Sequence, residues 1–243
     1  MANYVVIPAI MESTRLPGKL LLDETGKPLI QHTWENCKKI PHVEEIIIAT
    51  NNKKIKEACE NFGAKVDYDE RPTKSGTDRV VLAASKLDDC DTVTNVQGEW
   101  PCVNPVDIHN IINTASFMPD EPLMASLYYR GSAEKSNESL VKVVVNSLGH
   151  ALYFSRQPIP HNSEELLYHI GVYSLSLTMI RFYLQMRDQE WNSPMKSEDL
   201  EQLQFLDQGF QITMVETKNA TKGVDTPDDY EEFVSSMIPE LPC

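Results

Sequence analysis

The feature that most constrains this chain is the alternation of short β-branched runs with helical stripes over its first hundred residues. Val5, Val6 and Ile7 form a buried-strand run that ends at Pro8, and residues 44–50 repeat the pattern. A helix expected over 30–39 lies between them. A connection of that length joins parallel strands, whereas an antiparallel pair needs only a hairpin. Over 52–62 the apolar Ile55, Ala58, Cys59 and Phe62 fall on one helical face, and Gly63 stands at the C-cap position. A strand over 65–68, a helix over 78–87 and a strand over 92–96 continue the series. This order predicts an α/β fold with a doubly wound sheet, whose ligands sit beyond the carboxyl ends of the strands.

The second half is less regular. Strands are expected over 123–129 and 140–146, with a turn at 146–149 leading into a strand over 151–154. Helices are expected over 175–186 and 198–206 and a strand over 211–215. Thr226 caps a last helix with Pro227 in its first position, running on from Asp228. No Pro/Gly-rich linker and no internal repeat interrupts the chain, so it reads as one domain over 1–243 with a lobe inserted after about residue 120.

Composition narrows the function. With 22 Lys+Arg against 36 Asp+Glu the formal charge is −14, and the 41% hydrophobic content suffices for a single large core. A pI near 4.8 excludes a general nucleic-acid binder, because no electrostatic footprint for a phosphate backbone exists. The apolar runs are too short for a membrane span or a signal peptide, so a cytoplasmic protein is expected. Cys37, Cys59, Cys90, Cys102 and Cys243 are odd in number and lack a C-x-x-C pair. They read as reduced thiols and not as a zinc site, which leaves the sequons at Asn137 and Asn219 without meaning. The six histidines show no ligand spacing. His169 reads as a hydrogen-bonded, half-buried histidine.

The loop after the first strand, Met11-Glu12-Ser13-Thr14-Arg15-Leu16-Pro17-Gly18-Lys19, combines hydroxyls, backbone N–H donors and two cations suited to an oligophosphate. It is neither a G-x-x-x-x-G-K-[ST] loop nor a G-x-G-x-x-G dinucleotide turn. Lys74-Ser75-Gly76-Thr77-Asp78-Arg79 reads by default as a helix cap. Glu99, after the fourth strand, and Asp225 are carboxylates that could hold Mg²⁺ against phosphate oxygens; taken alone, Glu99 reads by default as a solvated loop acid, and Asp225 reads equally as a neighbour of a helix cap.

Taken in order, seven segments resemble the 3-deoxy-manno-octulosonate (Kdo) cytidylyltransferases, the CMP-Kdo synthetases. They are residues 13–19, 75–79, 95–98, 151–156, 169–173, 200–203 and 223–227. The resemblance implies a mixed, mostly parallel sheet of nucleotidyltransferase type. A nucleotide half would span about 1–120, a sugar-binding and dimerisation lobe 121–210, and a return to the main sheet 211–243. It implies a homodimer that uses CTP with Mg²⁺, or Mn²⁺, to make CMP-Kdo and pyrophosphate for lipopolysaccharide.

Carried over by position, Lys19, Arg15 and Asp225 match the catalytic set. Ala9, Ser13, Arg15, Lys19, Ser75, Arg79 and Gln97 match the nucleotide site. Arg156, His169, Tyr173, Glu201 and Gln202 match the sugar-acid site, and Glu99 and Asp225 the metal carboxylates. The chain departs from the family pattern at Ile10, where an arginine is usual, at Glu99-Trp100, where the pattern has Asp-Glu, at Asn51 and at Lys196. A rival reading follows from these departures: a relative that binds sugar or nucleotide without turnover.

Overall fold

Strand β1 (Asn3–Ala9) is buried along its whole length and lies between the two largest hydrophobic cores. In the computed structural model, which describes residues 1–117, 120–135 and 138–237, Tyr4 and Val6 face one core and Val5 and Ile7 the other. Both faces of the strand are apolar because helices cover both sides of the sheet. β1 pairs in parallel with β2 (Glu45–Thr50) on one side and β4 (Thr92–Val96) on the other, and β2 pairs in parallel with β3 (Lys65–Tyr68).

The crossovers are α1 (Leu29–Cys37), α2 (Lys53–Asn61) and α3 (Gly76–Ala84). Asn52 caps α2 by accepting from Lys54 N and Ile55 N, and Gly63 follows with φ 83°. That left-handed conformation carries no Cβ penalty only for glycine. The expectation for the elements from β1 to β4 holds, with element ends displaced by at most three residues.

Beyond β4 the sheet reverses. β8 (Glu165–Ser176) runs antiparallel to both β4 and β5 (Met124–Ser132), and β9 (Ile212–Glu216) lies parallel to β5. Among the described residues the main order is β3-β2-β1-β4-β8-β5-β9. A hairpin of β6 (Lys142–Val145) and β7 (Ala151–Ser155) hangs from β8 through the pairing of Lys142 with Tyr168.

The helices of this half are α4 (Pro105–Ser116), α5 (Leu177–Met186), α6 (Gln202–Asp207) and α7 (Pro227–Met237). Thr226 caps α7 as expected: its Oγ1 accepts from Asp229 N at 3.2 Å and donates to the Asp229 carboxylate at 2.7 Å.

Three elements differ from the expectation. β8 was not foreseen as a strand, and its last two residues, Leu175 and Ser176, replace the start of the helix expected from 175. Ser176 Oγ accepts from Met179 N and so caps α5. α4 was also not foreseen, although Asn104 caps it and Ile108, Ile111, Ile112 and Ala115 form its buried stripe. The helix expected over 198–206 is broken. A 3₁₀ turn at Pro194–Glu198 ends at Asp199, whose φ of 53° stops propagation before α6 begins.

Cys37, Cys59, Cys90 and Cys102 are free thiols, and burial pushes the first three up to about 12. Cys243 and Asn137 lie outside the described residues. No helix among the described residues is long and apolar enough to cross a membrane.

Candidate active site

The carboxyl end of β1 delivers the first loop. Gly18, with φ 69°, turns the chain into a 3₁₀ turn at Lys19–Leu21, and Lys19 N donates to Leu16 O at 3.2 Å. This turn aims Lys19 back over the strand ends. Its Nζ lies 2.8 Å from Asp225 Oδ1 and 3.2 Å from Glu99 Oε1, and Arg15 reaches the same Asp225 oxygen at 3.1 Å.

The two acidic loops are tied to one another. Trp100 N donates to Gln97 O, closing the turn after β4, and Val224 N donates to Glu99 O at 2.8 Å. Gly223 permits this approach, since a Cβ there would stand 3.2 Å from the Trp100 indole nitrogen. Residues 206 apart in the chain therefore share one charge cluster, of which the Lys19 side chain is only 11% exposed.

A cleft of about 350 Å³ opens at this cluster, lined among others by Ile10, Glu12, Ser13, Arg15, Lys19, Gln97, Glu99 and Asp225. Ala9 is wholly buried, and its neighbours Pro8 and Ile10 form the wall. Gln97 lies over Gly76, whose Cβ would stand 3.0 Å from Gln97 Oε1.

Gly76 and Ser75 open a further cavity of about 560 Å³ toward Tyr183, Arg187 and Glu201. Ser75 Oγ accepts from Asp78 N and caps α3. Asp78, fully buried, accepts from Arg187 Nε at 2.6 Å and Nη2 at 3.0 Å, and from Lys74 N at 3.0 Å. That carboxylate fixes the loop carrying Ser75 to the end of α5.

Arg79 lies beneath the same loop. It is 2% exposed, absent from the walls of these cavities, and donates to Asp69 O, Arg71 O and Thr73 Oγ1 at 2.9–3.1 Å. Its geometry is that of a loop support.

The third space, about 490 Å³, shares Arg15 and Asp225 with the cleft and is lined by His169, Tyr173, Glu201 and Gln202. The β8 register brings His169 and Tyr173 to one side of the sheet, one to each side of a bulge in the pairing with β5. His169 Nε2 lies 2.8 Å from Ser126 Oγ, and burial pushes the imidazole down to about 3, so the ring is neutral at physiological pH.

Tyr173 donates its hydroxyl to Gln202 Oε1 at 3.1 Å, and burial, reinforced by Glu201, raises its pKa. Glu201 Oε1 accepts from Thr77 Oγ1 at 2.7 Å, and Thr77 in turn accepts from Asn95 Nδ2 at 3.0 Å. Among the described residues, Glu201 Oε2 and Asn95 Oδ1 are buried without a hydrogen-bond partner.

Arg156 is absent from the walls of this space. Its guanidinium donates to the carbonyls of Glu138, Glu198 and Asp199 at 3.2–3.4 Å and so clamps the loop before α6. Four contributors were missed in the sequence. Trp100, Tyr129 and Lys222 line the third space, and Arg187 anchors the Ser75 loop. An aromatic next to a strand-end acid was the visible signal for Trp100; Lys222 and Arg187 carried none.

Glu99 and Asp225 fit a divalent cation in one respect: a positive group, the Lys19 ammonium, already sits between them. Among the described residues no third His, Cys, Asp or Glu completes a metal cluster, so the remaining ligands would come from phosphate and water.

Comparison with known proteins agrees with this architecture. A family model described as cytidylyltransferase matches residues 4–219. The 3-deoxy-manno-octulosonate cytidylyltransferase of Escherichia coli is 36% identical, over 98% of this chain and 96% of its own length. That of Francisella philomiragia is 39% identical, over 94% and 96%. A solved CMP:2-keto-3-deoxy-manno-octonic acid synthetase complexed with CTP superposes with a TM-score of 0.89 at 37% identity, covering 99% of this chain and all of that one. Shared full-length sequence and a shared fold, with a strand-end cleft that opens into a second cavity, place the chain in the 3-deoxy-manno-octulosonate cytidylyltransferase family.

Proposed function

We propose that this chain transfers CMP from CTP to the anomeric hydroxyl of Kdo or a related 2-keto-3-deoxy sugar acid and releases pyrophosphate. The observation that carries the reading is that the cleft and the acid-side cavity meet at Arg15 and Asp225. A triphosphate in one and a sugar acid in the other then bring hydroxyl and α-phosphate to a common wall.

Catalysis of phosphoryl-group transfer needs little covalent help from the protein; positioning and neutralisation of charge supply most of it. Lys19 and Arg15 take that role at the phosphates, with Ser13 and the Gln97 amide orienting the nucleotide and Ser75 holding the far wall. Glu99 and Asp225 would hold Mg²⁺ or Mn²⁺, which supplies Lewis-acid stabilisation of the phosphate oxygens.

On the acid side, neutral His169, the Tyr173–Gln202 pair and the unpartnered Glu201 oxygen offer polar contacts to sugar hydroxyls. Arg156 and Arg79 act through the loops they fix. The resemblance further supports a homodimer, a cytoplasmic site of action and a place in lipopolysaccharide synthesis. It also supports the division into a nucleotide half, about 1–120, and a sugar-binding lobe, 121–210, before the chain returns to the sheet.

The test is pyrophosphate release from CTP and Mg²⁺ with and without Kdo, repeated with Mn²⁺ and a panel of related keto acids. Kdo-dependent release is expected. Protein that binds CTP or Kdo yet releases no pyrophosphate with any of the acids and either metal would leave a binding protein in place of the enzyme.

A further inference from the structure

The nucleotide cleft contains less positive charge than its ligand demands. Its ionic lining consists of Arg15 and Lys19 against Glu12, Glu99 and Asp225, and Ile10, 46% exposed, presents an aliphatic chain on the same wall. Neither cation faces the cleft uncommitted. Lys19 Nζ is shared by Glu99 and Asp225 at 3.2 and 2.8 Å, and Arg15 is 3.1 Å from Asp225. A triphosphate arriving alone would have to draw the ammonium away from two carboxylates. It would leave them as unpaired anions, 23% and 34% exposed, beside its own negative oxygens.

We propose that in this chain Lys19 and Arg15 are held in reserve on Glu99 and Asp225. They become phosphate ligands only when a divalent cation neutralises those carboxylates, so that metal is required for nucleotide binding itself and not only for turnover. Ile10 is the residue that makes the requirement strict, because among the described residues lining this cleft there is no cation besides Arg15 and Lys19 with which the metal-free triphosphate could be held. The inference rests on the reading of this cleft as the CTP site.

The coupling is reciprocal. Whatever factor the metal adds to CTP affinity, CTP adds to metal affinity. Each charge-assisted phosphate contact released by the exchange is worth roughly tenfold or more in affinity. With two cations freed, the expected gain is about a hundredfold.

Isothermal titration of CTP without any sugar acid tests this in EDTA and in saturating Mg²⁺. The parent chain is expected to bind CTP about a hundredfold more tightly with Mg²⁺. Glu99→Gln removes one carboxylate that holds Lys19, so it is expected to bind metal-free CTP about tenfold more tightly than the parent while losing most of the Mg²⁺ gain. Ile10→Arg, at an exposed position, is expected to strengthen metal-free binding by a similar factor and to shrink the Mg²⁺ step.

Parent protein that binds CTP equally well within threefold in EDTA and Mg²⁺ would overturn the proposal. So would a Glu99→Gln chain, melting like the parent, whose metal-free affinity is unchanged or lower. The same titrations separate this inference from the proposed function. Metal-gated binding without pyrophosphate release would refute the activity alone, and release with metal-independent binding would refute the gating alone.

Discussion

Removing Arg187 should destabilise the protein and loosen the nucleotide side of the site together. Asp78 has no exposed surface, and its carboxylate is satisfied by the two Arg187 nitrogens at 2.6 and 3.0 Å and by Lys74 N at 3.0 Å. Arg187→Ala leaves one backbone donor for a buried anion. Breaking one partner out of a buried pair costs about 3–5 kcal/mol, and Arg187 is itself 19% exposed, so the lower end, about 3 kcal/mol, is expected. In a chain of this length that corresponds to a fall in melting temperature of about 6–12 °C.

Urea denaturation and thermal scans measure the loss directly. Arg187→Lys is expected to recover only part of it, because an ammonium cannot reproduce the two-point contact. Asp78→Asn combined with Arg187→Met should recover most of it by removing both charges. CTP affinity should fall with Arg187→Ala, since the same pair fixes the loop carrying Ser75 and Gly76. A loss below about 1 kcal/mol would show that water reaches Asp78 and that the pair does not hold the loop. A double variant no better than the single would show that the charge is not the cause.

The other predictions concern the acid side and two closely packed glycines, Gly76 and Gly223. The imidazole of His169 is held at about 3 in the fold against about 6.5 when unfolded, so the unfolded chain takes up the proton first. Stability should therefore be full above pH 6.5 and fall toward pH 3 with a slope approaching 1.4 kcal/mol per pH unit from this residue. Urea midpoints across that range should fall less steeply for His169→Gln than for the parent, and equal slopes would refute the assignment. Gly76→Ala places a methyl 3.0 Å from the Gln97 amide, so CTP affinity measured by titration should drop severalfold with little change in melting temperature. Gly223→Ala presses on Trp100 at 3.2–3.3 Å, and a shift in tryptophan emission with a raised KM for the sugar acid is expected.

The first half of the fold was legible because each element there is specified locally. The stripe of α2, the cap at Asn52 and the glycine at 63 are written in adjacent residues. β8 was not legible, because its pattern belongs to a strand buried between β4 and β5 and its polar Ser174 and Ser176 are satisfied by distant partners. α4 was legible in retrospect from Asn104, Pro105 and the isoleucine stripe. The break at Asp199 was not, since a single left-handed non-glycine residue leaves no pattern.

The site divides along the same line. Motif order brought together Arg15, Lys19, Glu99 and Asp225, and the structure holds them within ion-pair distance. It could not say what Arg79 and Arg156 touch, because an arginine that clamps loop carbonyls and one that grips a ligand look the same in sequence.

The placement of these clamps gives the site its order of rigidity. Arg79 fixes residues 69–73, Asp78 binds α3 to α5, and Arg156 fixes the loop before α6. Each is a buried or half-buried charge spent on backbone groups and at most one neighbouring side chain. The Thr77–Glu201 hydrogen bond then links the nucleotide-side helix directly to the acid cavity, leaving one Glu201 oxygen unpartnered. By contrast, Arg15 and Lys19 are held by ion pairs to Glu99 and Asp225, carboxylates that on the proposed reading compete with phosphate for them. A frame tied by hydrogen bonds and a cation pair that can be exchanged would let nucleotide binding be decided by charge and not by loop closure. Thr77→Val tests the rigid link: it should raise the KM for the sugar acid severalfold while leaving the Mg²⁺-dependent step in CTP affinity intact. Loss of that step in Thr77→Val would mean that the frame and the charge exchange are one device.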